Sequence, residues 1–265
     1  MVENSMAAMV QALGLEGGGV VSIVGAGGKT SLMFRLAHEF RDSREPVLTT
    51  TTTKIMLPKK EQCRHVVLTP SVQSLVDQAE AILKKSFHLC AASPTKPGQK
   101  GKITGFNPDC IEKLRHCGLF RWILVEADGA AQKPLKAPAP HEPVIPDCSS
   151  WVIGVIGLTA IGKPLGPQWV FRHERYSAIT GLAQGAPVTE DSVVRAALHS
   201  KGLFKGSPQR AEKILFFNAA EQAQHQLIGR RLAEKMRVLK AHHDIRRAIV
   251  GSPLNVWAES DRWDY

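Results

Sequence analysis

Short β-branched apolar runs alternate along this chain with stretches in which apolar residues recur every three or four positions, the pattern of strands interleaved with amphipathic helices. The spacing predicts a helix over residues 6–15, closed by Gly17, Gly18 and Gly19, and then a strand over 20–24. Beyond it Leu32, Met33, Leu36, Ala37 and Phe40 fall on one helical face, with Arg35, His38, Glu39 and Arg41 on the other. Further strands are expected over 46–49, 66–68, 87–91, 122–125, 151–158 and 213–218, and the final one over 248–252. Helices are expected from an N-cap at Ser71 to Lys85, from Asn107 and Pro108 to Cys117, over 189–199 and over 222–242. Residues 93–102, with Pro94, Pro97, Gly98, Gly101 and three lysines, read as a mobile loop. Residues 132–146 are rich in proline and lysine, and because proline fixes φ they read as a stiff, extended loop. The expected architecture is one α/β domain over residues 1–265, a three-layer sandwich in which helices cover both faces of a mostly parallel sheet.

The break between the first strand and the first long helix carries the clearest chemistry: Gly25, Ala26, Gly27, Gly28, Lys29, Thr30 and Ser31. Glycines let the backbone turn tightly and aim several N–H groups at an anion, and the following helix points its positive end at the same place. These seven residues are therefore expected to bind phosphate, and the fold to be P-loop NTPase-like. Lys29 would reach the terminal phosphates and stabilise charge on a transferred phosphoryl group, and the Thr30 hydroxyl would ligate Mg²⁺. The common G-x-x-x-x-G-K-[ST] spacing requires glycine at position 23, which is Ile23. The shorter G-x-x-G-K-T loop resembles that of the Mur-ligase-like ATPases. A glycine-rich strand-to-helix turn with an incidental lysine is the plainer alternative.

A second strand, 122–125, runs into Glu126 and Asp128, the place where a phosphate-loop enzyme puts the carboxylate of its Mg²⁺ shell. Asp128 is expected to share Mg²⁺ with Thr30, and Glu126 to position water or an acceptor. Lys29, Glu126 and Asp128 are thus the candidate catalytic residues. Threonines 49–53 end the second strand, where an open α/β sheet binds its ligand, and Thr51 is a candidate phosphate contact. The alternative is a β-branched extension of the strand. Lys133, Lys136 and His141 are expected near the acidic strand end, Lys133 and Lys136 as phosphate contacts, with a solvated linker as the alternative. At the late strand end, Asn218, Ala219, Ala220 and Glu221 echo the N-K-x-D signature with which GTPases recognise guanine. The echo lacks the lysine and has Glu for Asp, so by itself it does not assign GTP.

Composition narrows the class. Hydrophobic residues make up 43% of the chain and charged residues 22%, which favours a folded globular protein over a disordered one. The net charge of +10 suits an anionic partner without choosing among anions. Five cysteines form no C-x-x-C pair, so neither a zinc ribbon nor a disulfide framework is expected. The first residues lack a cationic n-region and no apolar run reaches spanning length, so a cytoplasmic protein without a membrane partner is expected. The helix over 222–242 has a basic face, yet it lacks interleaved aromatics and any recognised motif, so nucleic acid is not an expected partner.

Taken together, the loop 23–31, the threonine run 48–55, the block 124–130, Lys133 to Pro138 with 141–146, and Phe171, Arg172 and His173 resemble the YqeC-like family. That family is known as the selenium-dependent hydroxylase accessory, or selenium cofactor biosynthesis, proteins. The resemblance implies a role in maturing selenium-dependent molybdenum hydroxylases or their cofactor, with a hydroxylase or its pterin cofactor as partner. The expected function is a Mg²⁺-dependent nucleotide-binding protein, an ATPase or GTPase using ATP or GTP. A non-enzymatic, nucleotide-dependent switch for a hydroxylase and a small-molecule kinase or ligase are the alternatives.

Overall fold

The computed structural model describes residues 8–95, 101–239, 243–254 and 257–262. The chain opens with α1 (Ala8–Leu13), β1 (Gly19–Gly25), α2 (Lys29–Asp42), β2 (Val47–Thr51), β3 (Lys54–Met56), β4 (Val66–Leu68) and α3 (Val72–Leu83). It continues with β5 (His88–Ala92), β6 (Lys102–Thr104), α4 (Pro108–His116), β7 (Trp122–Glu126), β8 (Leu135–Lys136) and β9 (Ser149–Gly157). A 3₁₀ turn (Leu158–Ala160) leads to β10 (Val170–Phe171), α5 (His173–Thr180), α6 (Glu190–Leu198), β11 (Glu212–Asn218), α7 (Ala223–Val238), β12 (Ile245–Ser252) and β13 (Trp257–Arg262).

The main sheet has the strand order β13-β12-β11-β9-β1-β7-β2-β5-β4. Every pairing in it is parallel except β12 with β13. Parallel strands buried on both faces are written as continuous apolar runs, which is how β1, β7 and β9 read. Alternation within them assigns the two layers. Ile23, Leu124, Ile153, Ile214 and Phe216 meet α1 and α2 on one face. On the other, Val20, Leu48, Ile123 and Leu89 meet α3 and α4, while Leu215, Phe217, Ala248 and Val250 meet α6 and α7. This is the expected three-layer α/β sandwich.

Local signals account for the helix ends. The Ser71 side chain caps α3 by accepting from Ser74 N at 3.2 Å, and Pro108 begins α4. Glu39 is buried and uses its carboxylate to accept Met9 N and Val10 N, which ties α1 to α2. Trp122 stacks on Phe40 with ring centroids 4.2 Å apart, worth about 0.5–1.5 kcal/mol beyond area burial.

The expected final strand, 248–252, begins earlier, at Ile245, and β13 adds an antiparallel edge beyond it. Among the described residues of the expected loop 93–102, Ser93 bridges Thr104 and Lys102 begins β6, which pairs with β3. Residues 96–100 of that loop and residues 240–242 of the expected last helix lie outside the described residues.

The topology fixes where a ligand sits. From β1 the chain crosses α2 toward β2, and from β9 it leaves the opposite way toward β11. The adjacent pair β1/β9 is therefore the switch point of the sheet, and open α/β sheets bind ligands outside the carboxyl ends of the strands at such a point.

Candidate functional site

The loop after β1 is built by backbone conformations that only glycine tolerates. Gly25 lies at φ 93°, with a Cβ there only 2.3 Å from Val155 O. Gly27 lies at φ 83°, and its Cβ would come within 2.6 Å of Gly157 Cα and Pro134 O. The loop is thus pressed against the end of β9, held by Ala26 N donating to Val155 O at 2.9 Å and Gly157 N to Pro134 O at 2.9 Å. Gly28 is the N-cap of α2 and provides no side-chain cap, so the first-turn N–H groups of the helix are left for an external acceptor.

Lys29 is the first residue of α2, and its side chain turns back under the loop. Its Nζ donates to Gly25 O at 2.7 Å and lies 3.1 Å from Asp128 Oδ1 and 3.7 Å from Glu126 Oε1. Burial alone would push this ammonium down; the Asp128 and Glu126 carboxylates outweigh it and hold it above its ordinary value. Glu126 ends β7, in register with Ile23 of β1 and Thr51 of β2. Burial raises its carboxyl, against the opposing pull of Lys29 and of the Thr30 hydroxyl. That hydroxyl donates to Glu126 Oε2 at 2.7 Å. Gly25 N donates to Asp128 Oδ2 at 3.0 Å, while Asp128 Oδ1 is buried against the Lys29 ammonium at 3.1 Å.

From Asp128 the charges continue outward. Lys136 Nζ lies 2.9 Å from Asp128 Oδ2 and 2.8 Å from Glu142 Oε2, and it also donates to Gly129 O. Arg172 closes the chain with a bidentate grip on Glu142, Nη1 on Oε2 at 2.5 Å and Nη2 on Oε1 at 2.9 Å. Desolvation would raise the Glu142 carboxyl, but Arg172 and Lys136 take it down to about 2. Arg172 sits at φ 59° as the N-cap of α5 and stacks on Phe171 with its guanidinium carbon 4.3 Å from the ring centre. Lys29, Lys136 and Arg172 thus alternate with Glu126, Asp128 and Glu142 in one balanced network.

The structure brings Lys29, Thr30, Glu126, Asp128 and Lys136 together beneath the loop of Gly25, Ala26, Gly27 and Gly28, and gives Thr51, Lys133 and Ser31 other surroundings. The Thr30 hydroxyl, expected at Mg²⁺ together with Asp128, donates to Glu126 Oε2 at 2.7 Å. The Thr51 hydroxyl, expected at the phosphates, is occupied by Glu126 O at 2.7 Å, so it fixes the end of β7 from behind. Thr52 likewise donates to Val144 O, and Lys54 is exposed on β3. Lys133 is anchored through its backbone, with N donating to Ala130 O, and among the described residues no contact joins its side chain to the carboxylates. Ser31 is half-buried beside the loop and His141 is exposed. Sequence reasoning missed Glu142 and Arg172 as parts of the site. It also missed the contact of Asn218, whose Nδ2 donates to Gly27 O at 2.6 Å. The signals for the first two were their charge and their place in the blocks 141–146 and 171–173 that carry the family resemblance, neither of which assigned them a partner.

Residues 21–174 match the family described as "YqeC protein". A protein of Escherichia coli (strain K12), described as "Uncharacterized protein YqeC", is 34% identical over 236 residues, covering 88% of this chain and 86% of that protein. The chain belongs to the YqeC family. The stretch matched to the YqeC family contains the loop, Glu126 at the end of β7, Asp128 just beyond it, Lys136, Glu142 and Arg172; Asn218 lies outside it. Among solved structures, FtsY from Mycoplasma mycoides aligns with 94% of this chain at 10% identity and a TM-score of 0.33, and the chain spans 59% of that protein. Chloroplast FtsY from Physcomitrella patens aligns with 99% of this chain and 70% of its own length, at 14% identity and a TM-score of 0.36. Among the described residues no helix is long and apolar enough to cross a membrane.

Proposed function

We propose that the chain binds a nucleoside triphosphate with Mg²⁺ and catalyses transfer of its terminal phosphoryl group to water or an acceptor. The observation that carries this reading is the position of Lys29, held between Gly25 O and the Asp128 and Glu126 carboxylates directly beneath the glycine loop. Gly27, Gly28, Thr30 and Ser31 provide backbone N–H groups and the helix end for the phosphates, while the Gly25 and Ala26 N–H groups, donated to Asp128 and Val155, hold the loop in shape around them. An arriving phosphate competes with the two carboxylates for the Lys29 ammonium, which then stabilises charge developing on the transferred group.

The donor set fits Mg²⁺, which takes oxygen ligands and is held by one or two protein groups together with phosphate oxygens. Thr30 Oγ1, the Glu126 carboxylate and Asp128 Oδ1, which lies 3.1 Å from the Lys29 ammonium, supply such oxygens, and among the described residues no larger acidic or histidine cluster competes. Bound there, Mg²⁺ would neutralise phosphate charge and polarise the bond to be broken. Glu126, on which the Thr30 hydroxyl is held, would bind the metal together with Thr30, and Asp128 orients Lys29 and Lys136. On the family resemblance, the reaction serves maturation of selenium-dependent molybdenum hydroxylases or their cofactor, with a hydroxylase or its pterin cofactor as partner.

Nucleotide binding and phosphate release, measured in wild type, Lys29→Ala and Asp128→Asn, test the assignment. Both variants should lose turnover by about 100-fold or more, and equal rates in all three would remove the catalytic reading. A second reading, a switch without turnover, is favoured by the charged chain from Asp128 through Lys136 and Glu142 to Arg172 at the head of α5. Tight nucleotide binding with no phosphate release, and partner capture that depends on nucleotide, would select it.

A further inference from the structure

The ends of β11 and β12 carry groups that the phosphate chemistry leaves unused. The two strands pair in parallel, with Phe217 opposite Val250, so their carboxyl ends lie side by side next to the loop. Asn218 reaches the loop itself, its Nδ2 donating to Gly27 O at 2.6 Å. The amide is buried and half-satisfied, since its Oδ1 has no hydrogen-bond partner among the described residues. Ala219 then takes a left-handed conformation at φ 66°, and Ala220 N donates to Gly251 O at 3.3 Å, fastening the turn to β12. Glu221 follows. It is exposed, yet its carboxylate is fixed by the buried Ser252, whose hydroxyl donates to Oε1 at 2.5 Å. Among the described residues no cation takes up this carboxylate, which distinguishes it from Glu126, Asp128 and Glu142.

We propose that this turn reads the base of the nucleotide and selects guanine over adenine, an inference that rests on the phosphate reading of the loop. An ionised carboxylate only accepts hydrogen bonds, and it accepts two in parallel. Guanine presents such a pair of donors on one edge, N1–H and the 2-amino group. Adenine presents an unprotonated ring nitrogen there, which would face the carboxylate lone pair to lone pair. Asn218 has one amide hydrogen committed to Gly27 O and a second left for N7, an acceptor in both purines, so it anchors a purine without choosing between them. Discrimination therefore falls to Glu221, and Ser252 is its positioning residue. Two hydrogen bonds to an exposed charged group correspond to a preference of about 10- to 100-fold.

Calorimetric titration of the full chain with GDP, ADP and xanthosine diphosphate in the presence of Mg²⁺ tests this, using wild type, Glu221→Gln and Lys29→Ala. Wild type should prefer GDP over ADP by at least about tenfold. Glu221→Gln offers one acceptor and one donor, which complements the N1–H and 2-oxo groups of xanthine, so preference should move from GDP to xanthosine diphosphate. A purely structural role for Glu221 would weaken all three ligands alike and would overturn the proposal. So would equal wild-type affinity for GDP and ADP; if Lys29→Ala then abolished both, the phosphate reading would stand and the base assignment alone would fall. Absence of binding by any nucleotide to folded wild-type protein would overturn both.

Discussion

Lys136 Nζ lies 2.9 Å from Asp128 Oδ2, and each side chain is only 2% exposed. Sealed from water, this pair is strong only while it is complete, because an unpaired buried charge forfeits hydration that nothing replaces. Lys136→Met should therefore cost about 3–5 kcal/mol of stability in urea unfolding. Adding Asp128→Asn should recover part of that loss, since without Lys136 the buried network holds three carboxylates against Lys29 and Arg172, and the change removes the excess negative charge. Additive costs for the two changes would mean that the pair is not coupled.

The glycine loop offers a sharper contrast between strain and clash. At Gly17, φ is 77° and a Cβ meets nothing within 4 Å, so Gly17→Ala should cost only the conformational penalty, about 1 kcal/mol. Gly27 has a similar φ of 83°, but its Cβ would strike the backbone of Gly157 and Pro134 at 2.6 Å. Gly27→Ala should cost about 3 kcal/mol or more and force β9 away from the loop. Thermal unfolding of the two variants measures the difference.

How far this site was legible in the sequence follows from the range of each signal. Gly25, Gly27, Gly28, Lys29 and Thr30 are contiguous, and the strand before them and the helix after them have strong periods, so their joint role could be read locally. The same holds for Glu126 and Asp128 at the end of an apolar run. The network through Lys136, Glu142 and Arg172 could not be read that way. Its members come from a proline-rich loop and from a helix cap in the left-handed region, and only the pairing of β8 with β10 brings them together. Asn218 was visible as a motif echo, but its contact with Gly27 spans 191 positions of sequence. Among the strands, β13 was missed because it is an edge, and its sequence from Trp257 to Arg262 is mostly polar, without the continuous apolar signature of β1 and β7.

Two threonines near Glu126 should separate architecture from chemistry. The Thr51 hydroxyl donates to Glu126 O and accepts Thr53 N at 3.0 Å, so Thr51→Val removes two hydrogen bonds, leaving Glu126 O only Thr52 N among those contacts, and should cost about 1–3 kcal/mol. Nucleotide turnover, measured where the protein is folded, should keep its Mg²⁺ dependence. Thr30→Val removes a hydroxyl that, among the described residues, donates to the Glu126 carboxylate. It should also cost about 1–3 kcal/mol of stability, but unlike Thr51→Val it should raise the Mg²⁺ concentration needed for half-maximal turnover by about tenfold. Titrating Mg²⁺ against both variants distinguishes the two roles, and the same Mg²⁺ dependence in each would remove Thr30 from the metal site.

His88 gives the fold a pH dependence of predictable sign. The imidazole is buried in β5, with Nε2 3.0 Å from Thr49 Oγ1, and burial, helped by neighbouring His38, Arg41 and His65, pushes it down to about 3. Phe34 and His38 of α2 pack their rings against it at 6.2 and 6.1 Å. In the unfolded chain the same group titrates near its ordinary value of about 6.5. Below that pH the unfolded state binds a proton that the folded state refuses. The contribution of His88 is therefore complete above about pH 6.5 and is lost as pH falls toward 3, with a limiting slope of about 1.4 kcal/mol per pH unit. Glu142, held down to about 2, acts in the same direction but only below its unfolded value of about 4.3. Urea unfolding between pH 7 and pH 5 consequently isolates the histidine. In that interval wild type should lose stability more steeply than His88→Gln, whose side chain does not titrate, whatever the offset between the two at pH 7. Parallel curves would show that His88 takes up its proton without unfolding the chain.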